Sequence, residues 1–525
     1  MIIEKITGNK NVAKVLKVLM PSIPEEHGSN KTRAFVYIAY AYILLPFLIF
    51  AIGWFGKRYW VPIVPVLLFC FWKAGRETPA LWIPELNRDN IVKILFIILM
   101  VFIWVYFSGI GKMVFQNQDH GVRNSVFEIL VQQDWPIYNY DVIIENFKEG
   151  TTGTSLIYYI GFWIPAAVFG KIFGIDAGYG FQAFWAILGI VLIYYFICAR
   201  KERLLVWPLA IMIFFSGLDI IGQYFRGVDL FTLSNDTHLE WWGEPYQYSS
   251  MTTQLFWVFN QSIPAWLCTI LAFIQKNNKS LVFILACCML PSTFPFVGLL
   301  VLAVYWAFSR KYDLSSGSSR KERAILYAKE FFSDTFTLQN IAGGGIIGIF
   351  SFLYLNANVS GNRVMQETLY GPSFDNHLIK YLLFILLEVG IYFVVLYKYN
   401  KEKSMYYVLL ICLLIIPPIK IGAGGDFCMR ASIPALFMLM IMVIDTLDKA
   451  KKSRDLAVVI SLSIILCIGA VTPFHEIVRT FKNTVNSLNS EEQVYLPSID
   501  NHTILNSPNF SGAIDDSFFF KYIAR

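Results

Sequence analysis

The apolar sequence KILFIILMVFIWVYFSG, residues 93–109, is followed closely by the polar sequence QNQDHGVRNSVFEILVQQDWPIYNYD, from Gln116 to Asp141. A helix of about 20 mostly apolar residues crosses the hydrocarbon core of a membrane, so the first stretch predicts a transmembrane helix. The second stretch is a polar island in an otherwise apolar chain. Its carboxylates are therefore expected at a membrane surface.

The composition of the whole chain predicts an integral membrane protein. Of 525 residues, 56% are hydrophobic, 17% aromatic and 15% charged, and the mean hydropathy is +0.53. Only helices and closed barrels satisfy the backbone in lipid, and apolar runs of helical length recur, so we predict an all-α polytopic bundle of about 12–14 spans. The candidate spans are residues 34–56, 59–74, 93–109, 155–174, 177–199, 204–222, 254–274, 280–292, 295–309, 338–356, 379–398, 405–421, 429–447 and 456–472.

Basic residues between the apolar runs set the orientation of the bundle. Near the N-terminus Lys10, Lys14 and Lys17 alternate with apolar residues, which predicts an interfacial helix on the cytoplasmic face. The predicted division is a cytoplasmic basic amphipathic segment at 1–33, a transmembrane bundle at 34–472 with outer loops at 110–154 and 223–253, and a small extracytoplasmic C-terminal region at 473–525.

At one place the predicted spans do not alternate correctly between the inside and the outside of the membrane. Arg200, Lys201 and Arg203 also require an inside position, yet two apolar runs separate them from the outer polar island. We therefore expect that one run between 155 and 199 does not cross fully. The alternative is that 281–308, interrupted by the sequence PSTFP, forms one discontinuous crossing.

The net charge of +6 does not indicate nucleic-acid binding, because lysine and arginine concentrate in the short segments between spans. The expected partners are membrane lipids and lipid-linked molecules, with no nucleic acid. The eight cysteines show no disulfide or zinc spacing. The predicted location is the cell membrane, as in a bacterial plasma membrane.

The polar island predicts a helix lying along the membrane surface. Asp119 stands four residues before Arg123, so the two could form an ion pair, or Asp119 could cap the helix. A carboxylate at the lipid-water boundary can act as a general base on an acceptor hydroxyl, and partial burial would raise its pKa towards working pH. Asp119 is the first choice for this base. The island also holds His120, Glu128 and Asp141.

Asp134 is the second choice for the base, because Trp135 and Pro136 follow it and would hold the chain rigid. Trp135 would offer an aromatic face to a sugar. The alternative for Trp135 is a membrane-interface anchor.

A second polar region spans a loop and the following helix from Asp229 to Pro264 and contains the sequence EWWGEPYQYSSMTTQLFWVFNQSIPAW. Its aromatic rings suit the apolar faces of sugars, or else form an aromatic belt at the interface. Its amides lie in an apolar run, where unpaired amides are costly and should face a cavity or each other. The predicted sugar-binding or acceptor-binding residues here are Trp241, Trp242, Tyr248, Gln254, Asn260 and Gln261.

A third region, GAGGDFCMRASIP, opens a span with a glycine-rich turn. Backbone N–H groups, a helix N-terminus and Arg430 together predict a phosphate site, with Asp426 four residues before the arginine. Arg123 is expected to assist in binding the donor phosphate. A structural Asp426–Arg430 pair is the alternative. Glu388 falls within a predicted span and is a functional candidate for that reason alone.

An early outer loop with an acidic residue and a surface helix between two spans, followed by many more spans, resembles the GT-C class of membrane glycosyltransferases. The resemblance covers roughly residues 93–450. Two extra predicted spans come before the span that leads into the loop, and His120 follows Asp119 where many members have an adjacent acidic pair. These departures leave the exact family open.

The resemblance implies transfer of a hexose or pentose from a polyprenyl-phosphate donor to a cell-surface glycan, lipid or protein on the outer face. It implies Asp119, or else Asp134, as the base, and inversion at the anomeric carbon. No soluble cofactor is needed, although Mg²⁺ or Mn²⁺ bridging phosphate and carboxylate is compatible with this chemistry.

Two other functions remain open at this point. One is a transporter or flippase of lipid-linked saccharides, with broken helices at PSTFP and at Pro417 and Pro418, and Glu388 as a coupling site. The other is a polymerase or ligase of surface polysaccharide. The sequence leaves the sugar, the acceptor and the oligomeric state open.

Overall fold

The computed structural model describes residues 30–230, 234, 236–315, 319–358, 374–421, 425–490 and 492–525, without the side chains of 144 and 374–377. The predicted interfacial segment with Lys10, Lys14 and Lys17 lies outside these residues. So does most of the glycine-rich turn that precedes Gly425.

The described chain is mostly helical, with very little sheet. The helices are α1 Ala34–Trp54, α2 Lys57–Glu77, α3 Arg88–Phe107, α4 Asp119–Gln132, α5 Ile164–Phe173, α6 Ile175–Ala199, α7 Trp207–Phe214, α8 Asp219–Phe225, α9 Met251–Ile274, α10 Leu281–Met289, α11 Thr293–Ser309, α12 Arg320–Thr335, α13 Gly345–Leu355, α14 Phe374–Ile385, α15 Ile391–Asn400, α16 Ser404–Ile415, α17 Asp426–Ala431, α18 Ile433–Lys452, α19 Leu456–Gly469, α20 Val471–Asn489 and α21 Asn501–Leu505.

Five short strands complete the fold, with β1 Lys31–Thr32 paired to β2 Leu81–Trp82, and β3 Tyr138–Asn139, β4 Thr154–Leu156 and β5 Ser511–Ala513 in one antiparallel sheet.

Seven helical segments among the described residues are long and apolar enough to span a membrane, which confirms a multi-pass, all-α membrane protein. The bent pair formed by α12 and the segment 339–355 would make eight. The count is lower than the about 12–14 spans predicted from apolar runs of helical length. Several of those runs form shorter helices, such as α5, α10 and α16.

Helix α5 explains the failed order of inside and outside segments. It has 10 residues, about 15 Å, which is half of the hydrocarbon thickness of about 30 Å. Helix α6, with 25 residues, is long enough to cross. This agrees with the expectation that one of the two runs between 155 and 199 does not cross.

Ion pairs join two helices at the end of the bundle that was predicted to be cytoplasmic. Arg200, just after α6, contacts Asp445 of α18 at 2.7 Å, and Arg203 contacts Asp448 of α18 at 2.8 Å. Near the start of α6, the Tyr179 hydroxyl donates to Glu128 of α4 at 2.8 Å. We call the end with Arg200 the inner end and the end with α4 the outer end, after the predicted orientation.

At the outer end, the loop at 110–154 and the C-terminal region at 473–525 pack together. Strand β5 extends the hairpin of β3 and β4, and the side chain of Arg525 donates to the backbone oxygen of Trp135 at 2.6 Å. The ring of Phe519 is fully buried and stacks on Phe50 of α1. The C-terminal region therefore covers the polar island.

This cover corrects the prediction that α4 lies exposed along the membrane surface. The helix exists, but Arg123 and Asn124, two of its polar residues, are both buried. The Ser125 hydroxyl accepts a hydrogen bond from the backbone N–H of Ile499, and Asn124 donates to the backbone oxygen of Leu496. An amphipathic pattern shows which face of a helix is apolar. It does not show whether another part of the chain covers the polar face.

Candidate functional site

The site is organised by a break in α9. Val258 has a non-helical backbone, with φ −138° and ψ 35°, and therefore interrupts the hydrogen bonds of the helix. The backbone oxygen of Phe256 accepts instead from Asn117 Nδ2 at 2.8 Å and from His120 Nε2 at 3.1 Å. These two hydrogen bonds hold the polar island against α9.

His120 serves this attachment rather than proton transfer. Because a backbone oxygen only accepts, Nε2 carries the proton, and Nδ1 accepts from Gln116 at 3.2 Å. Burial, together with the charge of Arg123, lowers the pKa of His120 to about 3. The imidazole is therefore neutral at physiological pH, and it holds Asp119 next to the break.

Asp119 is the first residue of α4, and it pairs with Arg123 at 2.8 Å instead of capping the helix. Burial alone would raise the pKa of Asp119, but the charges of Arg123 and Arg430 lower it below its usual value. The expected rise of this pKa is therefore wrong for the unliganded protein. The Asp119 side chain is 39% exposed, whereas that of Arg123 is 6% exposed.

A second ion pair of the same form comes from α17. Asp426 and Arg430 are joined at 2.7 Å, and again the aspartate is 38% exposed while the arginine is 11% exposed. Asp426 lies in the first turn of the helix, where a negative charge is favoured by the helix dipole. The predicted Asp426–Arg430 pairing is thus present.

Gly298 of α11 sets the position of α17. A Cβ added to Gly298 would overlap the backbone oxygen of Ala431, directly after Arg430. We expect Gly298→Ala to destabilise the protein by about 1–3 kcal/mol, because backbone must shift to make room. Thermal unfolding in nanodiscs measures this change.

The control for this prediction is Gly348→Ala in α13, where no described atom lies within 4 Å of the added Cβ. That substitution should be neutral or stabilise by about 1 kcal/mol, since alanine favours helix over glycine. Equal melting temperatures for the two variants would contradict the close packing of α11 on α17.

The two ion pairs lie together at the outer end. The positive charge of Arg430 acts on the carboxylate of Asp119. The charges of Arg123 and Arg430 both act on the hydroxyl groups of Tyr158 and Tyr159. Burial raises the pKa of both tyrosines, so both hydroxyl groups remain neutral. We call Asp119, Arg123, Asp426, Arg430, Tyr158 and Tyr159 the Asp–Arg cluster.

The arginines of the cluster retain unused hydrogen-bond donors. Among the residues that the structure describes, Nε and Nη1 of Arg123 and Nε of Arg430 are buried without a hydrogen-bond partner. Leaving a charged donor without a partner in the interior is costly. The cluster is therefore suited to an anion that accepts from several guanidinium N–H groups, such as a phosphate.

Asp134 and Trp135 lie apart from the cluster. They follow the far end of α4, which spans about 20 Å from Asp119 to Gln132. Trp135 stacks on Trp54 at 4.8 Å, and its Nε1 donates to the backbone oxygen of Leu130. Trp135 therefore packs on α1, and Asp134 cannot act at the same reaction centre as Asp119.

Three other residues that were predicted to bind sugar or acceptor form hydrogen bonds inside the bundle. Trp242 donates to Glu388 at 2.8 Å, Tyr248 donates to the backbone oxygen of Leu413, and Gln254 bonds Trp266 and Ser249 within or beside α9. Each of the three is buried. None offers a free face to a sugar, in contrast to Trp241, which is 47% exposed.

Asn260 and Gln261 follow the break in α9. Within the described part of the chain, both polar atoms of Asn260 and Oε1 of Gln261 are buried without partners. No hydrogen bond therefore joins the two amides in the described structure, and the expectation that they face a cavity stays a prediction. Phe259, between them and the break, lies 5.9 Å from the guanidinium of Arg123 and 5.5 Å from His120.

Two further acidic residues of the island have structural partners. Glu128 pairs with Lys112 at 2.7 Å, and Asp141 contacts His502 at 3.1 Å. The sequence analysis did not single out Tyr158, Tyr159 or His238. A tyrosine pair next to a span carries no distinctive pattern, and only the fold places it beside the arginines.

The cluster does not fit a metal ion held by the protein. No group of three or more His, Cys, Asp or Glu side chains that could hold a metal was found in the described ranges. The carboxylates of Asp119 and Asp426 are each paired with an arginine. We therefore derive no step through Mg²⁺ or Mn²⁺.

Comparison with family models, with curated proteins and with solved structures gives no match to this chain. The fold and the cluster define it as a multi-pass helical membrane protein with a polar site at one end of the bundle.

Proposed function

We propose that the protein is a membrane glycosyltransferase that moves a sugar from a polyprenyl-phosphate donor to an acceptor on the outer face of the membrane. The observation that carries this proposal is the convergence of Arg123, Arg430 and Asp119 at the outer end, with arginine N–H groups left unused. The cluster lies at the end of apolar spans, where a lipid tail stays in the bilayer while its phosphate reaches a polar site.

In the proposed reaction, Arg123 and Arg430 bind the donor phosphate and stabilise it as it departs. Tyr158 and Tyr159 are neutral donors near the same charges. Asp119 accepts the proton of the acceptor hydroxyl, which attacks the anomeric carbon from the side opposite to the phosphate. The configuration at that carbon is inverted.

A bound phosphate removes the difficulty that the pKa of Asp119 is lowered. The two arginines hold Asp119 ionised in the free protein. When their charges are shared with the anionic phosphodiester of the bound donor, and its negative charge lies near Asp119, the pKa of Asp119 rises. The carboxylate thus becomes a stronger base only after the donor has bound.

The test is the selectivity of the protein for a charged lipid head. Polyprenyl phosphate and uncharged polyprenol share the same tail, so their difference in affinity reports the phosphate site. We expect polyprenyl phosphate to bind at least about tenfold more tightly in nanodiscs, as charged hydrogen bonds contribute about 1.5–3 kcal/mol each. Equal affinities would overturn the proposal. Native mass spectrometry can measure both.

A transporter or flippase of lipid-linked saccharides is the second candidate, and a separate observation favours it. Asp219 and Glu388 come from two different apolar segments, and the indole N–H of Trp242 donates to both, at 3.3 Å and 2.8 Å. Buried carboxyl groups in spans are common in coupled transport. Transfer of a lipid-linked saccharide from one leaflet of a liposome membrane to the other in response to a pH gradient would support this candidate.

A polymerase or ligase of surface polysaccharide is a further candidate, and it would use the same compartment and donor chemistry as the glycosyltransferase.

A further inference from the structure

His238 is buried, and one nitrogen of its ring has no hydrogen-bond partner in the described part of the chain. It is 7% exposed, and its Nδ1 is buried with no partner among the described residues. Burial, with the nearby charge of Arg479, lowers the pKa of His238 to about 3, so the imidazole is neutral. A neutral imidazole offers one donor and one acceptor, which matches a hydroxyl group.

Aromatic rings hold the His238 imidazole in place. The ring of Trp241 stacks on it at 4.8 Å with an angle of 6°, and Trp257 packs against it at 5.0 Å. His238 covers one face of Trp241, yet Trp241 remains 47% exposed. The rest of this indole is therefore open, and it lies next to an unused imidazole.

The buried charge beside these rings, that of Arg479, is neutralised by an ion pair. Arg479 lies over Trp257 at 5.3 Å, but it is paired with Glu476 at 2.6 Å, and both side chains are buried. The Trp257 indole also donates to Glu476. A second nearby guanidinium, that of Arg226, is exposed and donates to the backbone oxygen of Trp241 at 2.8 Å. A neutral, hydroxyl-rich ligand with an apolar face fits best.

The position of His238 connects it with the Asp–Arg cluster. Trp257, which packs on His238 at 5.0 Å, directly follows Phe256. The backbone oxygen of Phe256 accepts from His120, the neighbour of Asp119. A ligand that stacks on Trp241 and bonds His238 would thus lie on the same side as the proposed base.

We infer that His238 and Trp241 form the acceptor subsite, in which a neutral saccharide stacks on Trp241 and exchanges a hydrogen bond with His238. This inference rests on the proposed function, because it assigns the second substrate of that same site. His238 is a positioning residue here: it orients the acceptor hydroxyl towards Asp119.

The test uses saturation-transfer NMR of the full chain in nanodiscs, without any donor. The probes are glucose, galactose, mannose and N-acetylglucosamine. We expect the wild type to transfer saturation to at least one of them, and both Trp241→Ala and His238→Ala to weaken its binding by about tenfold. Trp72→Ala is the matched control, because Trp72 is 44% exposed and belongs to α2. It should bind like the wild type.

Polyprenyl phosphate binding, measured on the same samples, separates this inference from the proposed function and reports correct folding. Trp241 is exposed, so Trp241→Ala should fold even if His238→Ala does not. Retained phosphate binding with no saccharide signal in the wild type would overturn the acceptor subsite alone. If Trp241→Ala bound the saccharide as tightly as the wild type does, that result would also overturn the acceptor subsite.

Discussion

Asp119→Asn should lower sugar transfer by about 10²–10⁴-fold, the usual contribution of a general base. Asparagine keeps the size of the side chain and can still accept from Arg123, but it cannot take a proton. Donor affinity should be unchanged or higher, because the variant leaves more positive charge at the arginines. Transfer from a panel of polyprenyl-phosphate sugars, measured with donor binding, separates the two effects.

The matched control is Asp134→Asn, which changes the other predicted base at the far end of α4. Asp134 is exposed, and we expect transfer by this variant to equal that of the wild type. Loss of transfer in Asp134→Asn with normal transfer in Asp119→Asn would reverse the assignment of the base.

The pH profile gives an independent check on Asp119. A carboxyl group with a lowered pKa stays ionised as the pH falls, and it becomes protonated only below the usual aspartate range of about 4. In the free protein, Asp119 should therefore not limit donor capture between about pH 5 and 8. With the phosphate bound, the pKa rises, so any acidic limb should appear in the turnover rate and not in donor capture.

Arg430→Ala should weaken polyprenyl phosphate binding by about 10- to 100-fold, because a charged hydrogen bond contributes about 1.5–3 kcal/mol. The loss should not affect polyprenol, which has no phosphate. Removing Arg430 also leaves Asp426 unpaired, but Asp426 is 38% exposed and can be hydrated.

Arg200→Ala is the matched control for Arg430→Ala. Arg200 also pairs with an aspartate, Asp445, and its side chain is 18% exposed, but it lies at the inner end. Its removal should leave polyprenyl phosphate affinity unchanged. A similar loss in both variants would indicate that general destabilisation, and not the phosphate site, causes the effect.

Local sequence patterns indicated each ion pair, but they did not indicate that the two ion pairs lie close together in the fold. Spacing of four residues on a helix predicted both Asp119–Arg123 and Asp426–Arg430, and both pairs are present. Their convergence depends on how α11 packs on α17 and how the break in α9 anchors the polar island. These contacts join distant parts of the chain, and no local pattern specifies them.

The membrane class followed from composition, whereas the number of spans did not follow from apolar runs. The length of an apolar run does not distinguish a helix that crosses the membrane from a helix that is too short to cross, and α5 and α10 are short helices of 10 and 9 residues. Trp242, Tyr248 and Gln254 show the same limit for side chains. An aromatic or amide in an apolar run can serve a ligand or the interior, and the difference lies in its partners.

The most direct measurement of the central claim is a cryo-EM map of the protein in nanodiscs with polyprenyl phosphate added. We predict phosphate density within hydrogen-bond distance of Arg123 and Arg430 and beside Asp119, with the lipid tail leaving towards the bilayer. Phosphate density elsewhere, or lipid bound around Glu388 with the outer site empty, would contradict the glycosyltransferase and favour the transporter.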